Sequence, residues 1–304
     1  SHGHNKRDDS LYYLGNIFLG EGLAKDYKAN EEFNYFEYHL KGRGAPPSFK
    51  VKLYDGGNLS WHEFGEFPVE PDRTKIFNLH ADGSLPEGQK NMVSRIGRTY
   101  VSDPGNPVPY LEENDFQRMA PKKYFTDDQR FLESRGDVLS WTSEPLKEDM
   151  TVLGEIEALI EFATNHADAD LYVKIIDVYP NDREAEETDM EGINYKGYQR
   201  LVRLGYIRGR YRNSFENPEP FQPNLSTKVK VPLLEVFHTF KKGHRIMVQV
   251  QSSMFPLFDL NPQNYVEDIY KAKMGDFEKA KHTIFQNSTI IFPVVDINDT
   301  VAEQ

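Results

Sequence analysis

The chain has 304 residues, of which 38% are hydrophobic, 13% aromatic and 28% charged, a balance that excludes disorder as its main state and allows a large core. Its formal charge of −12 would repel a phosphate backbone or an anionic membrane, so neither nucleic acid nor a membrane is an expected partner. With no cysteine, disulfides, thiolate zinc sites and a cysteine nucleophile are excluded, while the redox compartment and the localisation stay open.

The first residues, Ser1-His2-Gly3-His4, carry neither an initiator Met nor an apolar signal core. Two readings follow: a start inside a longer protein, or tag residues. Leu23, Tyr27, Phe33, Phe36 and Leu40 then recur at helical spacing and predict a helix over 22–41, whose apolar stripe needs a partner surface. Lys41-Gly42-Arg43-Gly44 supplies a positive last turn and cap glycines, and Pro46-Pro47 forbids continuation. A domain boundary is placed there, dividing the chain into 1–47, 48–295 and a tail, 296–304.

From Phe49 the apolar period drops to two, beginning with Phe49-Lys50-Val51-Lys52-Leu53. Strands are predicted at 49–53, 75–80, 138–142, 152–162, 171–179, 198–207, 227–231, 245–252 and 290–294, with turn chemistry at Asp55-Gly56-Gly57-Asn58, Asp82-Gly83 and Lys241-Lys242-Gly243. Alternation is clearest in two of them. Ile156, Ala158, Ile160 and Phe162, and likewise Ile246, Val248 and Val250, should face inward, with Glu155, Glu157, Glu161, Arg245, Gln249 and Gln251 in solvent. Short helical turns are expected within 264–281. The expected fold is mainly β, two antiparallel sheets packed face to face with Greek-key or jelly-roll connections.

Several phrases, taken in order, resemble the C-terminal domain of the CocE/NonD family of serine hydrolases, which includes cocaine esterase, α-amino-acid ester hydrolases, glutaryl-7-aminocephalosporanic acid acylases and X-Pro dipeptidyl-peptidases. They are Leu79-His80-Ala81-Asp82-Gly83, Tyr100-Val101-Ser102-Asp103-Pro104, Arg135-Gly136-Asp137-Val138-Leu139, Asp168-Ala169-Asp170 and Gly209-Arg210-Tyr211-Arg212. The longest stretch runs from Phe240-Lys241-Lys242-Gly243-His244-Arg245 through Ser252-Ser253, followed by Phe255-Pro256. The resemblance implies a jelly-roll, galactose-binding-like β-sandwich preceded by the helical remnant of an α/β-hydrolase domain. It also implies that the rest of that domain, N-terminal to this chain, is the partner, and that the substrate is a small acyl ester, amide or peptide. No cofactor is implied, and homo-oligomer formation is left open.

In that family the catalytic histidine follows a Gly-Pro-Trp phrase, and Ser1-His2-Gly3 resembles what comes after it. By resemblance, His2 would take the proton from a nucleophilic serine and return it to the leaving group. The other reading is a tag or frayed terminal His. No Gly-x-Ser-x-Gly occurs, so the serine and its aspartate partner are not assigned here. The resemblance further implies that a sandwich loop walls the acyl pocket; 109–125 is the candidate, with Tyr110 and Tyr124 as aromatic wall, the alternative being that they pack the sandwich or sit on its surface. Asn165, Asp168 and Asp170 lack the glycine and terminal glutamate of a calcium loop, so capping of a strand start is preferred and no metal is expected. Arg208, Arg210 and Arg212 should share one strand face, either paired with carboxylates or solvated. Trp61 and Trp141 are read as core, with sugar stacking as the alternative. A stand-alone module binding carbohydrate or protein is the second functional reading.

Overall fold

The computed structural model describes residues 13–46, 49–88, 95–113 and 122–297. His2, His4 and most of the 296–304 tail lie outside the described residues. A small hairpin, β1 (Tyr13–Leu14) and β2 (Ile17–Phe18), leads into a continuous helical stretch: α1 (Leu23–Asp26), a π-helical segment (Tyr27–Glu32) and α2 (Phe33–Lys41). As the glycine pair predicts, the helix ends at Gly42 in the left-handed region (φ 64°), whose N–H bonds the Glu37 and Tyr38 carbonyls. Among the described residues no helix is long and apolar enough to cross a membrane.

Twelve strands follow: β3 (Val51–Asp55), β4 (Ser60–Phe64), β5 (Arg73–Asn78), β6 (Gly97–Ser102), β7 (Leu139–Thr142), β8 (Met150–Thr164), β9 (Asp170–Val178), β10 (Gln199–Arg208), β11 (Thr227–Phe240), β12 (Arg245–Gln251), β13 (Ala280–Phe285) and β14 (Thr289–Val295). β3 and β4 form a hairpin of their own, and the rest build two sheets. The smaller is ordered β10-β9-β12-β7, antiparallel throughout.

In the larger sheet β8 is the axis. One edge pairs with β11; along the other edge β13 pairs at 162–164 and β14 at 151–159, so the two short strands act as one interrupted strand. The interruption leaves the Glu161 N–H without a ladder partner, and Ser288 Oγ accepts it at 2.9 Å. β6 and β5 flank β13 and β14 in turn, so six strands make a sheet four strands wide. Two such sheets face to face make the jelly-roll sandwich. Ile156, Ala158, Ile160 and Phe162 of β8 meet Ile246, Val248 and Val250 of β12 across the core, every one fully buried, with Trp141 among them.

Three sequence expectations need correction. Gln249 and Gln251 are fully buried, because the smaller sheet is covered on its outer face as well: Tyr110, Leu111, Met254, Leu257 and Phe258 lie over Tyr172, Leu204 and Tyr206. β11 runs nine residues beyond Val231, since it pairs only with β8 and a bulge between Pro232 and Glu235 absorbs the proline that lacks a donor. β1, β2, β4, β6 and β13 were not predicted. In β13 the inward set is Ala280, His282 and Ile284, and a histidine at its centre masks the period of two. The short turns expected near 264–281 are present as 3-10 segments at Ile269–Lys271 and Met274–Asp276.

Candidate functional site

The β1–β2 hairpin lies on the sandwich rather than on the helix that follows it. Ile17 is buried against Tyr195 and Tyr198, the Tyr195 hydroxyl donates to the Asn16 carbonyl, and the Tyr13 hydroxyl donates to the Thr188 carbonyl at 2.9 Å. Asn16 Nδ2 reaches Tyr198 Oη at 3.3 Å and Asp127 Oδ1 at 3.5 Å. Gly15 turns the hairpin at φ +55°, where a Cβ would lie 2.0 Å from Thr126 Oγ1.

The connection from β6 to β7 crosses the covered face of the smaller sheet, and its residues 114–121 lie outside the described set. Tyr110 is 1% exposed, packed with Leu111, Tyr172 and Met254. Tyr124 is half-buried, 6.0 Å from the Tyr110 ring and 3.9 Å from Phe125, itself 48% exposed. Burial raises the Tyr124 phenol above its ordinary range. The loop's buried underside and its half-open aromatic edge are thus different residues.

Beneath it sits a lysine that pairs with no carboxylate among the described residues. Lys174 of β9 is fully buried, its Nζ donating to Gln129 Oε1 at 2.8 Å, and burial brings its pKa down to about 7. A folded pKa below the unfolded one means that stability is complete only above about 10.5 and falls as pH drops toward 7. Lys174→Met is therefore expected to stabilise the chain at neutral pH by about 2 kcal/mol, after about 1 kcal/mol is lost at the orphaned Gln129 oxygen. Urea midpoints measured at pH 7 check this; a lower midpoint in the variant refutes it.

The three arginines do not share a face. β10 ends at Arg208, and a 3-10 turn (Gly209–Tyr211) swings Arg210 inward, where its Nε meets Asp168 Oδ2 at 2.7 Å with both side chains buried. Arg208 pairs with Asp170 at 3.2 Å, and Arg212 donates to the Gly209, Glu219 and Pro220 carbonyls. Burial lifts the Asp170 carboxyl to about 6 even with Arg208 beside it. Asp168 and Asp170 are thus arginine partners, and the described residues hold no group of three or more His, Asp or Glu suited to a metal.

At the end of the sandwich, Asp177 of β9 accepts from two histidines: His238 Nε2 of β11 at 2.9 Å and His244 Nδ1 at 2.7 Å. Burial pushes the Asp177 carboxyl up, but these bonds outweigh it and hold the pKa at about 2; burial lowers His238. The network joins the two sheets. Sequence reading missed it because its members are 61 and 67 residues apart and meet only through strand register.

No Ser-His-Asp set forms among the described residues. Ser60 Oγ lies 2.9 Å from His62 Nε2, but both sit on β4, and among the described residues no carboxylate bonds His62, so the pair lacks its orienting group. Trp141 is 1% exposed and donates to the His80 carbonyl at 2.7 Å. Trp61 instead lines a groove of about 400 Å³ between the helix and the β3–β4 hairpin, with Tyr27, Tyr35, Phe36 and Phe49. Lys52 Nζ occupies the aromatic end, 5.4 Å from the Phe49 ring and 5.9 Å from that of Trp61, and pairs with Glu31 and Glu63.

The described residues thus form a two-layer β-sandwich whose sheets are joined by a buried Asp-His network. The chain belongs to the family of X-Pro dipeptidyl-peptidase C-terminal non-catalytic domains, whose model matches residues 43–289, and it is thereby a CocE/NonD-type C-terminal domain. It is 28% identical over 256 residues to cocaine esterase of Rhodococcus sp. (strain MB1 Bresler), covering 79% of this chain and 41% of that protein. Among solved structures, an aminopeptidase from a marine sediment Thaumarchaeota archaeon superposes with a TM-score of 0.85 at 33% identity, covering 94% of this chain and 47% of the other. An α-amino acid ester hydrolase gives 0.84 at 33% identity, covering 93% and 47%. The chain therefore spans less than half the length of each of these relatives.

Proposed function

We propose that this chain is the C-terminal portion of a serine hydrolase that cleaves a small acyl ester, amide or peptide bond. The sandwich supports an upstream α/β-hydrolase domain and helps shape its acyl pocket. The supporting observation is the helical segment: it carries the predicted apolar stripe, yet α2 buries none of its side chains, leaving Phe33 58%, Phe36 49% and Leu40 74% exposed. Such a face is built to be covered. It fits a remnant, residues 1–47, of a domain whose remainder lies upstream.

In this reading His2 is the general base, and the serine and its aspartate come from the upstream portion. Tyr124, on the open edge of the 109–125 loop, contributes to the pocket wall, with Tyr110 supporting it from beneath. Because loss of the serine alone costs on the order of 10⁶ in turnover in a well-studied triad, this chain by itself should be silent. Co-expression with the upstream portion, followed by a fluorophosphonate probe, is the test. Covalent labelling of the reconstituted protein and none of this chain is the expected result; a folded reconstituted protein that never labels refutes the proposal.

A further inference from the structure

We propose that the cleft between the turn after β10 and the loop before β13 is a binding site for a neutral oligosaccharide. β10 ends at Arg208, and the Gly209–Tyr211 turn that follows forms one wall. Val266 to Asp276, with its two 3-10 segments, forms the other. Between them lies a volume of about 580 Å³, within the range of small-ligand pockets.

The walls are braced against each other before any ligand arrives. Arg210 Nη1 donates to the Val266 carbonyl at 2.8 Å, and the Tyr265 hydroxyl donates to the Pro218 carbonyl at 3.0 Å. Arg212 holds the first wall through the Glu219 and Pro220 carbonyls. Asp268 holds the second, accepting from the Tyr270 N–H at 3.0 Å and pairing with Lys271 at 2.9 Å. Yet the rim of this braced cleft turns large rings to solvent. Tyr270 on one wall is 84% exposed; across from it Tyr211 is half-buried, and Phe215, 81% exposed, lies nearly parallel to the Tyr211 ring at 6.2 Å. Rings held out in this way present flat apolar faces that gain by being covered.

The charges of the lining decide the class of ligand. Arg208, Arg210 and Lys271 are each paired with an aspartate, Asp170, Asp168 and Asp268 respectively, so none of these cations is left over for an anion. Asp276 accepts from the Lys273 N–H at 2.6 Å. The Glu267 carboxylate is exposed and has no hydrogen-bond or ion-pair partner among the described residues. A single carboxylate in contact with water holds a cation only weakly. It is nonetheless a planar acceptor of two hydrogen bonds side by side. A sugar ring meets both features: its C–H face covers a tyrosine ring, and neighbouring hydroxyls donate to the two oxygens of Glu267. A purely apolar ligand would strip water from the charged lining and return no hydrogen bonds, which opposes its binding.

The experiment titrates the full-length natural gene product that carries this chain, by calorimetry, with maltohexaose, cellohexaose, mannohexaose and xylohexaose. Binding of at least one of them is expected. Tyr270→Ala should weaken it about 30-fold, whereas Tyr270→Phe, which keeps the ring, should weaken it by less than about threefold. Glu267→Ala should cost about tenfold through the lost hydrogen bonds to a charged group. Both positions are exposed, so the variants are expected to fold as the wild type does. Absence of binding by all four sugars, or an unchanged affinity in Tyr270→Ala, overturns the proposal. Self-association of the wild type that Tyr270→Ala abolishes, with no sugar bound, also overturns it and assigns the face to a second copy of the protein. Each of these negative results leaves the hydrolase proposal standing.

Discussion

Replacing Arg210 by methionine is expected to cost the fold about 3 to 5 kcal/mol. The guanidinium is 3% exposed and Asp168 fully buried; besides the 2.7 Å ion pair, Arg210 Nη1 donates to the Val266 carbonyl at 2.8 Å and the cation lies 4.4 Å from the Tyr265 ring centroid. Without it, Asp168 keeps, among the described residues, only the Ala169 N–H at 2.9 Å for a carboxylate sealed from water. An uncompensated buried charge costs more than the pair ever contributed. Adding Asp168→Asn should therefore restore a large share of the loss, which an unrelated second lesion would not. Denaturation midpoints for the two single variants and the double variant decide the matter. A loss below about 1 kcal/mol in Arg210→Met, or strict additivity in the double variant, contradicts the argument.

The second large effect is acid lability centred on His282. This residue, fully buried on β13, faces Gln263 Oε1 at 2.8 Å through Nε2, and burial brings its pKa from 6.5 to about 3. Between those values the unfolded chain binds a proton that the native chain refuses. A depressed folded pKa gives stability that is complete above about 6.5 and lost as pH falls toward 3, about 5 kcal/mol over the full interval. His238 acts in the same direction below its ordinary range, and Asp177 adds a further loss as pH falls from 3.8 through about 2.

Asp170 opposes them. Its folded pKa is raised from 3.8 to about 6, so its contribution is complete below 3.8 and lost as pH rises through 6. His282→Gln isolates the histidine, since glutamine has no proton to gain. The variant should lose clearly less stability than the wild type between pH 6.5 and 4, and parallel stability curves for the two proteins would exclude the mechanism.

The sandwich was legible wherever apolar side chains alternate with charges, as in Ile156 to Phe162 against Glu155, Glu157 and Glu161, because burial on one face leaves a period of two in the chain. The helix end at Gly42 was legible for a similar reason, since the left-handed cap demands glycine. Elements whose inward set includes a polar residue were not. β13 hides His282 in its core face, and β11 continues through Pro232 by a bulge that local chemistry does not announce. Of the candidate site, residue types were visible, yet their roles were not: Arg208 and Arg210 looked alike until a 3-10 turn sent one of them into the interior.

By itself, then, the order of residues determined the layered β architecture, the helical segment before it, the absence of any cysteine chemistry and a family likeness spread from Phe49 to Val295, because each of these depends on local period or local composition. Tertiary structure alone decided that Gln249 and Gln251 lie under a second cover, that Asp177 joins His238 to His244, and that the β1–β2 hairpin rests on Tyr195 and Tyr198. Those contacts span up to about 180 residues of chain and exist only once strand register is set; a buried polar group satisfied at such a distance leaves no period by which to find it.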